Sequence, residues 1–218
     1  IGKIQNENLV KGKAEPGMLI YKLGGPAYRI GIGGGSASSR NQDKKNNSLD
    51  LTAVQRGNAE MENRLDRVVR SCAQMGYNNP IESIHDQGAG GTSNVTKEII
   101  EPYGAEVDLN KIIKGDKTMT SLELWVSEYQ EQNTVLVKEE NKSILTNIAT
   151  RENLPVSNIG VVKNIENIIV YDSDDVIVNL PINKVLTDIP KKNYYITGSS
   201  IQKNTENCIN LDYKDFFK

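Results

Sequence analysis

One aspartate of the chain stands directly before a glycine-rich turn. The segment SIHDQGAGGTSN covers residues 83–94 and places Asp86 ahead of Gly88, Gly90 and Gly91. Hard cations such as Mg²⁺ bind one or two protein carboxylates together with water and substrate phosphates. A carboxylate beside accessible backbone amides suits that chemistry. We therefore predict that Asp86 is a metal ligand.

The single histidine of the chain, His85, precedes this aspartate. A histidine beside a carboxylate could serve as a general base. However, side chains alternate along an extended segment, which directs His85 and Asp86 to opposite faces. We therefore predict a structural, hydrogen-bonded histidine.

A second cluster of small residues, GIGGGSASS, covers residues 31–39. Backbone amides that no Cβ obstructs can approach a phosphate closely, and serine hydroxyls add donors. The segment lacks the GK[ST] ending of a Walker loop and the spacing of a dinucleotide-binding fingerprint. Two interpretations stay open, a tight turn at a sheet edge and a phosphate-binding turn. In the second, the binding residues are Gly33, Gly34, Gly35, Ser38 and Ser39.

Two further polar runs stand at the ends of predicted elements. AVQRGN, residues 53–58, places Gln55 and Arg56 directly before a predicted helix, where an anion would meet the helix dipole. SEYQEQ, residues 127–132, concentrates donors and acceptors before a predicted strand. Each run is also compatible with a solvated surface. Their significance depends on whether the fold brings the polar runs together.

The strongest helical pattern begins after Asn58, a suitable N-cap, and ends near Gly76. Its apolar stripe comprises Met61, Leu65, Val68, Val69, Cys72 and Met75. Further helices are predicted over SNVTKEII, capped by Ser93 or Asn94, over ENKSILTNIATRENL, and over INKVL, which Pro181 opens. Strands are predicted over GMLIYKLGG, a segment from Tyr28 onward, IESI, AEVDL, NTVLVK, VSNIGVVKN, NIIVYD and DVIVNL, while SLELWV fits either type. The interleaving of strands and helices indicates a mixed α and β fold.

Composition excludes several classes of protein. The chain has 218 residues, 26 Lys and Arg against 28 Asp and Glu, and a net charge of −2, which argues against a nucleic-acid partner. No run approaches the roughly 20 apolar residues that span a bilayer, so no membrane partner is expected. The two cysteines, Cys72 and Cys208, provide no disulfide framework. These features favour a reducing compartment, and we predict a cytoplasmic protein.

Four motifs, in their order and spacing, resemble the phosphoribosylformylglycinamidine synthases, the amidotransferase family that acts on formylglycinamide ribonucleotide. The motifs are LGGPAYRIGIGGGSASS, AVQRGNAEMENRL, NPIESIHDQGAGGTSN and SLELWVSEYQEQNTVLV. The resemblance extends from about residue 1 to about residue 189. It corresponds to the domain that follows the first nucleotide-binding domain of the synthetase part. The resemblance implies an α+β layer structure like the C-terminal domain of aminoimidazole ribonucleotide synthetase, a sheet covered by helices with a partial ferredoxin-like topology.

The resemblance also implies an activity. The family converts formylglycinamide ribonucleotide, glutamine, ATP and water to formylglycinamidine ribonucleotide, glutamate, ADP and phosphate. ATP is then a co-substrate and Mg²⁺ the cofactor. The family's catalytic histidine lies in the preceding domain, and no residue here matches the glutaminase. The implied partners of this domain are therefore the nucleotide-binding and glutaminase domains of the same polypeptide.

Individual positions carry implied roles. Asp86 matches a Mg²⁺-binding aspartate, and Gln55 matches a substrate-contacting glutamine. Glu128, Tyr129 and Gln130 match an ESQ run that contacts the ribonucleotide. The chain departs from the family pattern at three positions: Tyr129 replaces a serine, Gln132 an arginine, and Gln87 an apolar residue.

Two alternatives remain open besides this ligase. One is another ATP-dependent synthetase or kinase of the same superfamily. The other is a non-catalytic interaction or regulatory domain, which the departures at Tyr129 and Gln132 would suit. In each case we expect a domain over residues 1–189 and a linker over residues 190–218. An excised domain of this kind is expected to be inactive alone, and its uncovered face would allow self-association.

Overall fold

The computed structural model describes residues 4, 6–30, 57–129, 131–188, 191, 193 and 195. Several predictions fall outside these residues. They concern Gln55, Gln130, most of the linker over residues 190–218, and the turn with Gly33, Gly34, Gly35, Ser38 and Ser39. Of the strand predicted from Tyr28, the described residues 28–30 are not part of the sheet.

Seven strands form one mixed sheet in the described part of the chain, in the order β2-β4-β1-β5-β3-β6-β7. All neighbouring pairs are antiparallel except β3 and β6, which are parallel. The strands are β1 Leu19–Gly24, β2 Ser83–Asp86, β3 Gly104–Asp108, β4 Gln132–Val137, β5 Val156–Lys163, β6 Asn167–Asp172 and β7 Asp175–Pro181.

The described residues also form five α-helices. They are α1 Ala59–Ala73, α2 Gly91–Ile99, α3 Ser121–Val126, α4 Lys142–Arg151 and α5 Ile182–Leu186. None of them has the length and hydrophobicity that a bilayer crossing needs. Short 3₁₀ turns at Asn6–Asn8, Gly76–Asn78, Leu109–Lys111 and Glu139–Asn141 complete the regular structure of these residues.

Helix α1 begins as the sequence predicts. The side chain of Asn58 accepts a hydrogen bond from the Met61 amide over 3.1 Å, which satisfies one of the free donors at the helix start. Leu65, Val68 and Cys72 are buried. The helix ends at Ala73, so Met75 lies beyond it and is 37% exposed. The prediction that Met75 belongs to the buried stripe is therefore wrong.

Helix α2 begins earlier than predicted. Its N-cap is Gly90, with φ of +81°, rather than Ser93 or Asn94. Because glycine adopts a left-handed conformation without a Cβ penalty, the chain turns directly into the helix at Gly90. The hydroxyl of Ser93 lies inside the first turn and donates to Gly90 O over 2.6 Å.

The ambiguous segment SLELWV is helix α3. Thr120 and Glu123 cap it reciprocally, since the Thr120 side chain accepts from the Glu123 amide and the Glu123 carboxylate accepts from the Thr120 amide. This capping box was present in the sequence as T-x-x-E and decides between helix and strand.

Helices cover both faces of the sheet. Leu19, Tyr21 and Leu23 of β1 belong to an apolar cluster with residues of α1 and α4. Ile20 of β1 belongs to a second cluster with residues of α2 and α3, on the other face. This alternation along one strand is what a doubly covered sheet requires. It confirms the predicted α+β class, a sheet covered by helices.

Candidate functional site

The last residues of β1 and β2 and the first residues of β4 meet at one end of the sheet. Gly24 pairs with Gln132, and Asp86 pairs with Asn133. Because β4 runs antiparallel to both strands, its start lies where the other two end. This register places the LGG, HDQGAGG and SEYQEQ motifs side by side, although long stretches of sequence separate them.

Glycines allow the backbones of these motifs to approach closely. A Cβ on Gly91, whose φ is +56°, would lie 2.1 Å from Ser127 O. A Cβ on Gly24, whose φ is +120°, would lie 2.0 Å from Glu131 O. Both distances are far below any real Cβ contact, so side chains at these positions would force the motifs apart.

Gly57 of the RGN motif lies at the same end of the sheet. A Cβ on Gly57 would lie 3.1 Å from Glu131 Oε1, and the Gly25 amide donates to Glu131 O over 3.3 Å. Glu131 itself has a φ of +51°. Gln55 and Gln130 lie outside the described residues, but Gln55 is two residues from Gly57 and Gln130 directly precedes Glu131.

Asp86 ends β2 with its side chain 88% exposed. Its carboxylate lies against the start of the glycine turn, since a Cβ on Gly88 would be 3.9 Å from Asp86 Oδ2. The described residues contain no group of three or more His, Cys, Asp or Glu that could hold a metal ion. Asp86 therefore offers one exposed anionic oxygen ligand. Such a donor suits Mg²⁺, which keeps water and substrate oxygens in its shell.

His85 is hydrogen-bonded, as the sequence predicts. Its Nε2 lies 2.5 Å from Glu98 Oε2 on α2, and its Nδ1 lies 2.7 Å from Asp86 O. The same Nδ1 is 3.5 Å from Asp86 Oδ1. The predicted separation of the two side chains on opposite faces is thus incomplete, because the strand ends at Asp86 and its carboxylate is free to turn back.

Tyr129 and Glu128 lie in different environments. The Tyr129 ring is fully buried in the cluster with α2 and α3, and its hydroxyl donates to Glu123 O. Burial raises the pKa of the Tyr129 phenol, so the hydroxyl stays neutral. The expected substrate contact through this phenol does not fit its position in the core. Glu128 is partly buried beside it.

Gln132 is also buried, and its Nε2 donates to Gly25 O over 2.5 Å. An amide thus joins the start of β4 to the turn after β1, at the position where the family pattern has a cation. The structure shows that a neutral side chain makes the connection.

Sequence reasoning missed one polar residue of this region, Lys22. It is 6% exposed, and its Nζ donates to Gln87 Oε1 and, over 3.1 Å, to Thr92 Oγ1. The same Nζ lies 5.2 Å from the centroid of the Tyr129 ring. Burial lowers the pKa of Lys22 to about 7. The available signal was a lysine at an inward position of the apolar strand LIYKLG, two residues after Ile20.

Comparison with known proteins supports a single family. Residues 15–173 match the family model described as AIR synthase related protein, C-terminal domain. The match covers most of the chain, and the chain belongs to this family.

Several relatives share one name. The chain is 48% identical over 207 residues to an Arabidopsis thaliana protein named probable phosphoribosylformylglycinamidine synthase, chloroplastic/mitochondrial, with 89% of this chain and 15% of that protein covered. It is 44% identical over 173 residues to the Homo sapiens phosphoribosylformylglycinamidine synthase, with 79% of this chain and 13% of that protein covered. The chain thus spans about one seventh of the length of these relatives.

A solved structure agrees with both findings. T. maritima PurL complexed with FGAR superposes with a TM-score of 0.75 at 28% identity, with 89% of this chain and 32% of that chain covered. T. maritima PurL complexed with ATP superposes with a TM-score of 0.71 at 23% identity, covering 90% of this chain and 30% of that chain, which shows a shared fold.

Proposed function

We propose that this chain forms one wall of the active site of a phosphoribosylformylglycinamidine synthase, an ATP-dependent ligase of purine biosynthesis. The observation that supports this function best is that the described residues of the LGG, RGN, HDQGAGG and SEYQEQ motifs meet at one end of the sheet. Packing alone does not require an exposed carboxylate beside a glycine turn there. The names of the relatives supply the reaction.

In this proposal Asp86 is a Mg²⁺ ligand. When bound, Mg²⁺ neutralises negative charge on a transferring phosphoryl group. The role of the chain is to hold the Asp86 carboxylate in place, and His85 contributes by joining Asp86 O to Glu98 on α2. A single carboxylate gives an incomplete site, so other domains and the substrates supply the remaining ligands.

The substrate contacts are proposed for the neighbouring polar runs. The proposed contacts to formylglycinamide ribonucleotide are Gln55, two residues before Gly57, and Glu128 and Gln130, which precede β4 in the sequence. Tyr129 supports this run from inside the core and is left out of the contacts. We also propose that the turn with Gly33, Gly34, Gly35, Ser38 and Ser39 binds a phosphate of the ribonucleotide or of ATP.

The proposed partners follow from the same picture. The nucleotide-binding and glutaminase domains of the same polypeptide complete the enzyme and provide the catalytic residues. Residues 1–189 act as one domain, and residues 190–218 act as a linker. A neighbouring structure is named PurLQS from T. maritima, which indicates that the relative works in an assembly. We keep the cytoplasm as the proposed location, although the Arabidopsis thaliana relative is named chloroplastic/mitochondrial.

The proposal is tested in the full-length enzyme with ammonia as the nitrogen source. Formylglycinamide-ribonucleotide-dependent ATP hydrolysis is measured for the parent and for Asp86→Asn over a range of Mg²⁺ concentrations. Loss of the ligand charge should lower kcat at least about tenfold and raise the Mg²⁺ concentration needed for half-maximal rate.

The matched control is Asp174→Asn. Asp174 is an exposed carboxylate in the turn before β7, at the opposite edge of the sheet from β2. It should leave both quantities unchanged. Equal, unaltered kinetics of the two variants would contradict the metal role of Asp86 and would favour the non-catalytic domain. ATP hydrolysis stimulated by a different acceptor instead would favour another synthetase of the superfamily.

A further inference from the structure

Lys22 connects the two ends of the glycine turn that follows Asp86. Its Nζ donates to Gln87, the first residue of the turn, and to Thr92, the second residue of α2. The turn between them contains Gly88, Ala89, Gly90 and Gly91. With little side-chain packing of its own, this segment depends on contacts made at its ends.

The ammonium group of Lys22 has three favourable contacts. It donates to the side-chain oxygens of Gln87 and Thr92, and the face of the Tyr129 ring lies 5.2 Å away. An aromatic face attracts a cation, most strongly where water is excluded. Lys22, Gln87, Thr92 and Tyr129 are each at least nine-tenths buried, so water does not compete for these contacts.

Two of the three departures from the family pattern therefore belong to one contact group. Gln87 supplies an oxygen acceptor where an apolar side chain would offer none, and Tyr129 supplies a ring where serine would leave space. Both surround the same ammonium group. The contact with Lys22 explains Tyr129, so this departure no longer favours a domain without a ligand site.

Resting on the proposed function, we propose that Lys22 is a positioning residue that fixes the glycine turn and thereby the direction of the Asp86 carboxylate. Lys22 does not touch the substrates. Its effect passes through Gln87, which directly follows Asp86 and whose backbone N–H donates to Gln132 O over 3.1 Å. Removal of the ammonium group should leave the sheet intact and loosen residues 87–92.

The test compares Lys22→Met, Gln87→Leu and the double variant in the full-length enzyme. Lys22→Met keeps an unbranched side chain of similar length and removes the amino group that donates to Gln87 and Thr92. Gln87→Leu alone leaves the buried ammonium group without its main acceptor, and we expect it to unfold at a lower temperature. The double variant removes both polar groups, so its melting temperature should return to the parent value or exceed it.

Two readouts separate positioning from general stability. Hydrogen exchange of the metal-free enzyme, followed on a peptide over residues 84–95, should accelerate about tenfold or more in Lys22→Met and in the double variant. Peptides from β1 and β4 should keep the parent rates. The Mg²⁺ concentration for half-maximal rate should rise in both variants, with a smaller effect on the KM for ATP. Ile20→Val, on the same face of β1, is the packing control and should change neither readout.

Each outcome gives a decision. Unchanged hydrogen exchange over residues 84–95 in Lys22→Met would overturn the proposal. It would also be overturned if exchange is faster in Lys22→Met but only Asp86→Asn, and not Lys22→Met, alters the Mg²⁺ requirement. If Asp86→Asn also leaves the Mg²⁺ requirement unchanged, the metal role of Asp86 fails. In that case, faster hydrogen exchange in Lys22→Met still supports the claim that Lys22 fixes the glycine turn.

Discussion

Gly91 offers a direct test of how closely the glycine turn and the 127–132 run must approach. Gly91 is the first residue of α2, has a φ of +56°, and would bring a Cβ within 2.1 Å of Ser127 O and 2.8 Å of Ser127 C. These atoms belong to the backbone between α3 and β4. They cannot move aside as the end of a flexible side chain could.

Gly91→Ala should therefore destabilise this chain for two reasons. A left-handed conformation costs a residue with a Cβ about 1–2 kcal/mol. The steric conflict adds about 1–3 kcal/mol, the usual cost of overpacking a well-packed site. We expect a total loss of about 2–5 kcal/mol in the free energy of unfolding, measured by urea denaturation with circular dichroism.

Gly17→Ala separates the two contributions. Gly17 has a φ of +95°, and nothing lies within 4 Å of a Cβ built there. Its backbone conformation is less favourable for alanine than that of Gly91, so this control overstates rather than understates the conformational part. If Gly91→Ala costs no more than Gly17→Ala, the close approach of α2 to Ser127 is refuted, and with it the packing that joins the two motifs.

Three further predictions concern other residues. Burial lowers the pKa of Lys22 from 10.5 to about 7, so the unfolded chain binds one more proton than the folded chain between these pH values. The free energy of unfolding should therefore rise between pH 7 and 10.5 by up to about 1.4 kcal/mol per pH unit. Urea titrations at several pH values should show no such rise for Lys22→Met, and equal slopes for the two proteins would contradict the prediction. Asn58→Ala should cost about 1 kcal/mol of unfolding free energy through loss of the bond to the Met61 amide, whereas Asn58→Asp should keep most of it. Burial raises the pKa of Cys72 to about 11, so iodoacetamide at pH 8 should label Cys72 slowly in the folded chain and quickly once urea unfolds it. Mass spectrometry of the Cys72 peptide measures the labelling, and rapid labelling of the folded chain would contradict the prediction.

Local chemistry predicts several elements of this fold well. The cap at Asn58 and the apolar spacing of Leu65, Val68 and Cys72 define α1 because both signals arise within one helix. The start of α2 was missed because glycine at an N-cap gives no side-chain signal. Gly90 adopts a left-handed conformation there, and the next residue, Gly91, approaches Ser127, which is a tertiary contact.

The candidate site shows the same limit. Asp86 could be proposed as a metal ligand from its own neighbours, since an acid before a glycine turn already suggests a cation. The environment of Lys22 could not, because Gln87 is 65 residues away along the chain and meets it only through the pairing of β1, β2 and β4. For the same reason, Tyr129 could be placed beside a substrate by its motif and still belong to the core.

In the proposed function, the LGG, RGN, HDQGAGG and SEYQEQ motifs form one ligand site. Hydrogen exchange of the full-length enzyme, with and without formylglycinamide ribonucleotide and Mg²⁺, tests it most directly. We predict joint protection of peptides over residues 53–60, 84–92 and 127–132, with no change over residues 173–180 at the far edge of the sheet. Unchanged exchange in all three peptides, or protection that appears over residues 173–180 instead, would contradict the assignment of the site.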